Sequence, residues 1–482
     1  MLALFIVVPL LALVALNLPL MKASARAAFG LGIAVSVAQM LLAILQPQWA
    51  LGGKGPLDSL LWFPMAADAL SIMLLMLIGL ISFISILVAR ATLTDARQRY
   101  NFVNVLLIVL IGMNGMSLST DLFSLYVFLE VTAVASFILI ALQRSKESLE
   151  GTFKYIILSA VASILMVSAI ALLLLTSGDT SFSAVAAGVK GSPVHVFTTI
   201  AIGLFLCGLF IKGGLVPFHG WVVGAYSTAP TATAVLLAGI VSKVAIYALI
   251  RLVISVFGFG NGVNQVLLLV GAISAVVGAL AALNQSDMKR LLAYSSISQV
   301  GYIVLALGCG TYLGILGAVF HFFNHAIFKS LLFVNSAAVE QRIGTTDMTK
   351  MGGLGGRMPW TGITATLGML STAGIPPLAG FWSKLIIIIA LWQAGLVAYA
   401  IIAILISVLT LAYMLSMQRK VFFGQLREGF QEVREARMGL LVPAIILAAI
   451  TLATGIIVPV GGFVLKTLEN VATVFPLHGG LP

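Results

Sequence analysis

The sequence predicts an all-α, polytopic membrane protein, and three observations predict it. Of the 482 residues, 61% are hydrophobic and 9% charged, where a soluble domain carries about 25% charged residues. Apolar runs of about 20 residues, the length of helix that crosses a bilayer core, recur from one end of the chain to the other. Basic residues gather in alternate loops between those runs. A chain this apolar has to use lipid as its solvent, where only helices and closed barrels satisfy their own backbone. Barrel strands would read as segments of about 10 residues with alternating polarity, a pattern this sequence lacks.

Fourteen spans are expected, at 2–20, 27–46, 67–89, 101–119, 121–142, 153–175, 196–217, 230–252, 263–284, 290–310, 312–338, 360–392 (broken), 396–418 and 439–464. No basic residue precedes Leu2–Leu20, while Lys22 and Arg26 follow it. A signal peptide has the reverse order, so an uncleaved first helix with its N-terminus outside is expected. Loops after odd-numbered spans hold 18 basic residues, among them Arg90, Arg144, Lys289, Arg342 and the five between Arg419 and Arg437. The even side holds four, Lys54, Lys190, Arg251 and Lys466. The positive-inside rule then sets the odd loops in the cytoplasm and both termini outside, in a prokaryotic cell (inner) membrane. The net charge of +11 follows from the same bias, and nucleic acid is not expected as a partner.

Two spans carry helix breakers. Span 7 reads GLFIKGGLVPFHGW, with Gly213, Gly214 and Pro217; span 12 reads STAGIPPLAGFWSK, with Gly374, Pro376, Pro377 and Gly380. Proline removes a backbone donor and clashes with the preceding turn. The freed groups must face protein or a water-filled cavity. An offset of five spans makes the two run in opposite directions, which suggests inverted repeats of spans 4–8 and 9–13. Matching broken helices point to the transport site. The expected division is 1–100 for spans 1–3, 101–252 for the first repeat, 263–418 for the second, and 439–482 for the last span.

A charge at mid-bilayer costs roughly 2.5–3.5 kcal/mol on insertion scales. Four lysines and one glutamate accept that cost. Glu130 sits in LFSLYVFLEVTAVASFILIAL, the one acidic residue of fifteen well inside a span. Lys212 lies near the first break, Lys243 in LLAGIVSKVAIYAL, Lys329 in HFFNHAIFKSLLF, and Lys384 after the second break. A lysine near a span end can snorkel to the interface, but Lys243 and Lys329 lie mid-span and Lys212 and Lys384 flank breaks. Glu130 is too short to snorkel and is expected to pair with Lys212. The chemistry favours lysine because burial disfavours an ammonium and a nearby carboxylate restores it. Moving the carboxylate therefore switches proton affinity. His321, His325 and Lys329 at i, i+4 and i+8 share one helix face, a stripe suited to a proton relay. The HxxxH spacing has Phe322 and Phe323 where a zinc site needs an acid, so no metal is expected. His219, in PFHGW, either gives the line access to a surface or caps the broken helix.

Cys207 and Cys309 both lie in apolar spans, and there is no CxxC, no GxGxxG unit and no P-loop. No cofactor is expected in this chain, nor redox or nucleotide chemistry of its own.

The segments IKGGLVPFHGWVVGAYSTAPTATAVLLAGIVSKVAIY, LNQSDMKRLLAYSSISQVGYI, HAIFKSLLFVNSAAV and GIPPLAGFWSK resemble the antiporter-like proton-conducting subunits. That family is shared by respiratory complex I, Mrp-type cation/proton antiporters and membrane-bound energy-converting hydrogenases. The resemblance runs from about span 4 to span 13. It implies fourteen helices in two inverted five-helix repeats with helices 7 and 12 broken. It also implies a glutamate–lysine pair at Glu130 and Lys212, a bridging lysine at Lys243, a relay at His321, His325 and Lys329, and an exit lysine at Lys384, where some members carry glutamate. RKVFFG after span 13 resembles the hydrogenase, Mrp and middle complex I subunits more than the longest ones. Partners implied are further membrane subunits, related antiporter-like chains among them, with protons and Na+ as candidate cargo.

The expectation is a proton-translocating subunit of a larger energy-converting complex, driven by its partners. A cytoplasmic half-channel would feed Glu130 and Lys212, and protons would leave by Lys384. The rivals are a stand-alone transporter of an organic solute, which needs a midplane pocket, and a membrane scaffold whose charges only hold helices together.

Overall fold

A computed structural model describes residues 2–18, 24–45, 63–191, 195–260 and 262–461. Lys22, Lys54 and Lys466 lie outside the described residues. The chain folds into helices α1 (Leu4–Asn17), α2 (Ala25–Leu45), α3 (Ala69–Thr92), α4 (Ala96–Leu118), α5 (Leu122–Ile140), α6 (Lys146–Ser177), α7 (Phe182–Gly191), α8 (His195–Gly213) and α9 (Gly220–Thr228). Then come α10 (Thr231–Phe257), α11 (Val263–Leu283), α12 (Met288–Gly308), α13 (Tyr312–Ile343), α14 (Pro359–Ala373), α15 (Ala379–Gln393), α16 (Val397–Val421) and α17 (Met438–Gly461). Among the described residues there is no strand, and 12 helices are long and apolar enough to cross a membrane. The chain is a multi-pass membrane protein. The other two expected spans fall on α1, which is short, and on α14 with α15, which are two halves.

Short polar residues fix where helices begin. Asp68, Asp121, Asp287 and Thr311 each accept a backbone N–H of the following first turn, which satisfies one of the donors a helix start leaves open. The α11–α12 pair packs backbone to backbone. A Cβ on Gly271 would stand 2.5 Å from the Leu305 nitrogen, and one on Gly278 2.5 Å from that of Ser298. Without a hydrophobic force between helices in lipid, such small-residue contacts carry the association.

The breaks form as expected, with one correction. Span 7 does not end at Pro217: it resumes as α9 and runs to Thr228. The apolar run stops at the break, which is why the second half looked like loop. Gly214 turns the chain at φ +71°, where a Cβ would stand 2.2 Å from Val222. Carbonyls freed at each break find side chains. Trp221 Nε1 donates to the Ile211 carbonyl at 2.8 Å, and Lys384 Nζ to that of Ala373 at 3.3 Å. The helix α7 was not foreseen, and α10 contains two π-helical stretches, Leu237–Val241 and Val253–Phe257.

Connections sort onto two faces. Met65 bridges Ser119 and Asp121 bridges Ser181, joining the α2–α3, α4–α5 and α6–α7 connections. Asp287 bridges Asp347, Gln341 Nε2 donates to the Ala91 carbonyl at 2.9 Å, and Arg342 donates to the Glu435 carbonyl. These join the α3–α4, α11–α12, α13–α14 and α16–α17 connections on the other face, which follows the odd-numbered spans and is called the odd-loop face below.

A buried line of ionisable side chains

Glu130 on α5 and Lys212 near the end of α8 meet at 2.9 Å. Helix α6 lies beside both and supplies hydroxyls. Ser163 Oγ donates to Glu130 Oε1 at 2.7 Å, and Lys212 Nζ donates to Ser159 Oγ at 2.6 Å. The lysine sits just before the break that Gly213 and Gly214 open.

Lys243 on α10 is fully buried. Its ammonium donates to the Ala238 carbonyl inside the first π stretch. A π turn shifts the ladder from i−4 to i−5 and leaves carbonyls free for side chains; Tyr226 OH donates to its Leu237 carbonyl at 3.1 Å. Lys243 and Lys329 both lie within Coulombic range of His325.

On α13, the rings of His321 and His325 stack with centroids 6.4 Å apart. Lys329 turns toward α12, donating to Ser295 Oγ at 2.7 Å and to the Leu292 carbonyl at 3.3 Å. Ser295 Oγ in turn lies 2.9 Å from Tyr413 OH on α16. His321 Nδ1 lies 2.9 Å from Ser383 Oγ, next in sequence to Lys384. Lys384 Nζ stands 5.0 Å from the centre of the Tyr302 ring, and that ring is 5.8 Å from His321. Neither ring nitrogen of His325 meets a protein partner, nor does His321 Nε2.

Seven of the eight singled-out residues thus fall on adjoining helices α5, α8, α10, α13 and α15. His219 stands apart. It is the residue just before α9 at the break, but its side chain makes no capping hydrogen bond; its ring lies 6.4 Å from that of Tyr294 and its Nδ1 has no partner. Among the described residues no three His, Cys, Asp or Glu gather as metal ligands do.

A family model described as NADH:quinone oxidoreductase/Mrp antiporter, transmembrane, matches residues 119–410, which contain all eight of these singled-out residues. The chain belongs to this family. Among its relatives, an Na(+)/H(+) antiporter protein of Alkalihalophilus pseudofirmus is 35% identical over 393 residues, 81% of this chain and 80% of that protein. A chain in the Mrp complex of Dietzia superposes with a TM-score of 0.89 at 26% identity, covering 98% of this chain and 96% of that one. A chain of an archaeal membrane-bound sulfane sulfur reductase superposes with a TM-score of 0.86 at 25% identity, covering 98% and 97%. The chain is an antiporter-like membrane subunit, with the lysines and histidines described above inside the family's matched segment.

Sequence reasoning missed what the lysines touch. Ser159, Ser163, Ser295, Ser383, Tyr302 and Tyr413 join the line of this antiporter-like protein only through folding. One signal was available: 290–310 holds Ser295, Ser296, Ser298 and Gln299, unusually polar for a span. One charge assigned to a loop is corrected: Lys289 is buried at the start of α12 and pairs with Glu340. Arg251, counted with the even side at the end of span 230–252, lies within α10 and pairs with Asp68. Both helices run further than their apolar stretches.

Proposed function

We propose that this antiporter-like subunit passes protons along Glu130, Lys212, Lys243, His325, Lys329, His321 and Lys384, within a larger membrane complex that supplies the energy. One observation carries this. Of the four lysines in this line, only Lys212 has a carboxylate partner; among the described residues, Lys243, Lys329 and Lys384 meet only carbonyls, hydroxyls and rings. A scaffold would pair its buried charges, because an unpaired one costs several kcal/mol. A relay needs ammonium groups with hydroxyl and imidazole neighbours that can also hold a neutral amine. The unpartnered nitrogens of His325 and His321 mark where water would complete the line, since buried polar groups are ordinarily satisfied.

An organic-solute transporter fits less well. A cavity of about 890 Å3 is lined by Asn17, Asp95, Arg97, Asn104 and Arg144 among others, and none of the line's residues borders it. The odd-loop face is read as cytoplasmic from its basic residues, in a prokaryotic cell membrane with both termini outside. The bridges Asp121–Ser181 and Asp287–Asp347, five spans apart on opposite faces, support the division into two inverted repeats. Protons are the proposed cargo, with Na+ the alternative that the name of the Alkalihalophilus relative raises, and no cofactor is assigned to this chain.

The test is the assembled complex in proteoliposomes, with proton and Na+ fluxes read separately. Lys329→Ala should remove proton movement while assembly persists. Undiminished proton flux in that variant refutes the relay.

A further inference from the structure

A second cluster of charges lies at the odd-loop face, outside the line. Lys289 Nζ stands 2.7 Å from Glu340 Oε2 and 2.9 Å from Oε1. Thr231 Oγ1 donates to Glu340 at 2.8 Å and accepts from Lys289 at 3.1 Å. The pair borders a cavity of about 260 Å3 that Ser227, Thr228 and Gln341 also line. At about 30 Å3 of liquid volume per water, several waters fit. The pair is lopsided: the Lys289 side chain is 6% exposed and that of Glu340 35%, so the carboxylate faces the mouth and the ammonium faces inward.

Two helices run from this pair toward Lys329. On α12, Lys289 precedes by three residues Leu292, whose carbonyl accepts from Lys329; that is about 4.5 Å of helix rise. On α13, Ser336 and Glu340 follow Lys329 by seven and eleven residues, so all three fall within about 40° of one helix face. Ser336 is fully buried and its hydroxyl has no protein partner. Phe333, on the same face, packs edge-on against Tyr226 with centroids 5.8 Å apart.

We propose that this cavity is a second proton entrance that opens toward Lys329, and that the Lys289–Glu340 pair is its gate. A proton taken by the Glu340 carboxylate neutralises it and releases Lys289, which opens the way past Ser336. The Glu130–Lys212 pair would then serve one half of the molecule and the Lys289–Glu340 pair the other, both from the same face. The role assigned to Lys329 rests on the relay proposed above; the accessibility of Ser336 does not.

The experiment uses the assembled complex in vesicles of known orientation, with Cys207 and Cys309 changed to serine and Ser336→Cys as the single thiol. Silver ions are added from one side, and protection of the thiol from a maleimide mass tag is read after denaturation. Silver from the odd-loop side should react at least about tenfold faster than from the other side, a difference of about 1.4 kcal/mol in barrier. Glu340→Gln should raise that rate further, and Lys289→Gln should do the same, so a folding defect in one variant does not spare the gate. Equal rates from both sides overturn the entrance, and rates unchanged by both substitutions overturn the gate. Expected silver rates together with undiminished proton flux in Lys329→Ala would keep the water entrance and defeat the relay; the converse pair of results defeats the entrance alone.

Discussion

Glu130 and Lys212 meet at 2.9 Å but are unequally sheltered, with 4% of the lysine side chain exposed against 26% of the glutamate. Lys212 is fixed by Ser159 at the break in its helix, whereas Glu130 leans on Ser163 at the outer flank of α5 and α6. The lysine is the anchored member of the pair and the carboxylate the one with room to move.

Glu130→Gln keeps the shape of that carboxylate and removes its charge. It should lower coupled proton movement by at least about 100-fold, the low end of what a positioned acid–base group supplies, with complex assembly largely retained. Lys212→Ala should do the same. Proton pumping at the normal rate by either variant in proteoliposomes would count against the pair.

The face assignment gives a second expectation. Single cysteines placed between Arg419 and Arg437 should react with a membrane-impermeant reagent only from the cytoplasmic side, because that connection belongs to the face that gathers the basic loops. Reaction from the outside alone would reverse the orientation of the whole chain.

Lys384 separates relay from support. Arginine keeps the charge but does not deprotonate usefully in proteins, whereas glutamate exchanges a proton. Gly374 leaves the space that the Lys384 stem fills, since a Cβ there would stand 2.9 Å from its Cδ. Lys384→Glu should therefore move protons better than Lys384→Arg. The opposite order, measured as proton gradient per turnover, would make Lys384 a structural cation.

The Asp68–Arg251 pair should act on stability. Arg251 donates to both oxygens of Asp68, at 2.6 Å to Oδ1, and also to Tyr247 OH at 2.8 Å. Burial pushes the Asp68 carboxyl up, but the hydrogen bond and charge of Arg251, with Ser71, outweigh it and hold it below the usual aspartate value. A carboxyl depressed in the folded state stabilises above its unfolded pKa and loses that contribution as pH falls through the folded one. Asp68→Asn should cost about 2 kcal/mol at neutral pH, the value of hydrogen bonds to a charged group. The difference from the parent should shrink only below about pH 4, near the ordinary aspartate pKa. Thermal unfolding in detergent across pH reads this; equal stability at pH 7 would leave the pair without a structural role.

The membrane class, the alternation of loops and the two breaks were legible in the sequence because each rests on a local rule. About 20 apolar residues span a bilayer, basic residues collect on one side, and glycine with proline cannot continue a helix. Glu130, Lys212, Lys243, Lys329 and Lys384 were legible for a related reason, since a charge inside an apolar run stands out wherever it points. What surrounds them was not. Ser295 lies 34 residues from Lys329 and Tyr413 another 118 from Ser295, and no local pattern tells a serine that faces a lysine from one that bonds its own helix. Lys289 and Glu340 looked like loop charges because both sit past the ends of their apolar stretches. Only packing of α12 against α13 and α10 brought them together over a cavity. Sequence by itself determined which groups carry charge into the membrane; tertiary structure decided which of them are paired, because pairing depends on distances between helices that the order of residues along one helix does not contain.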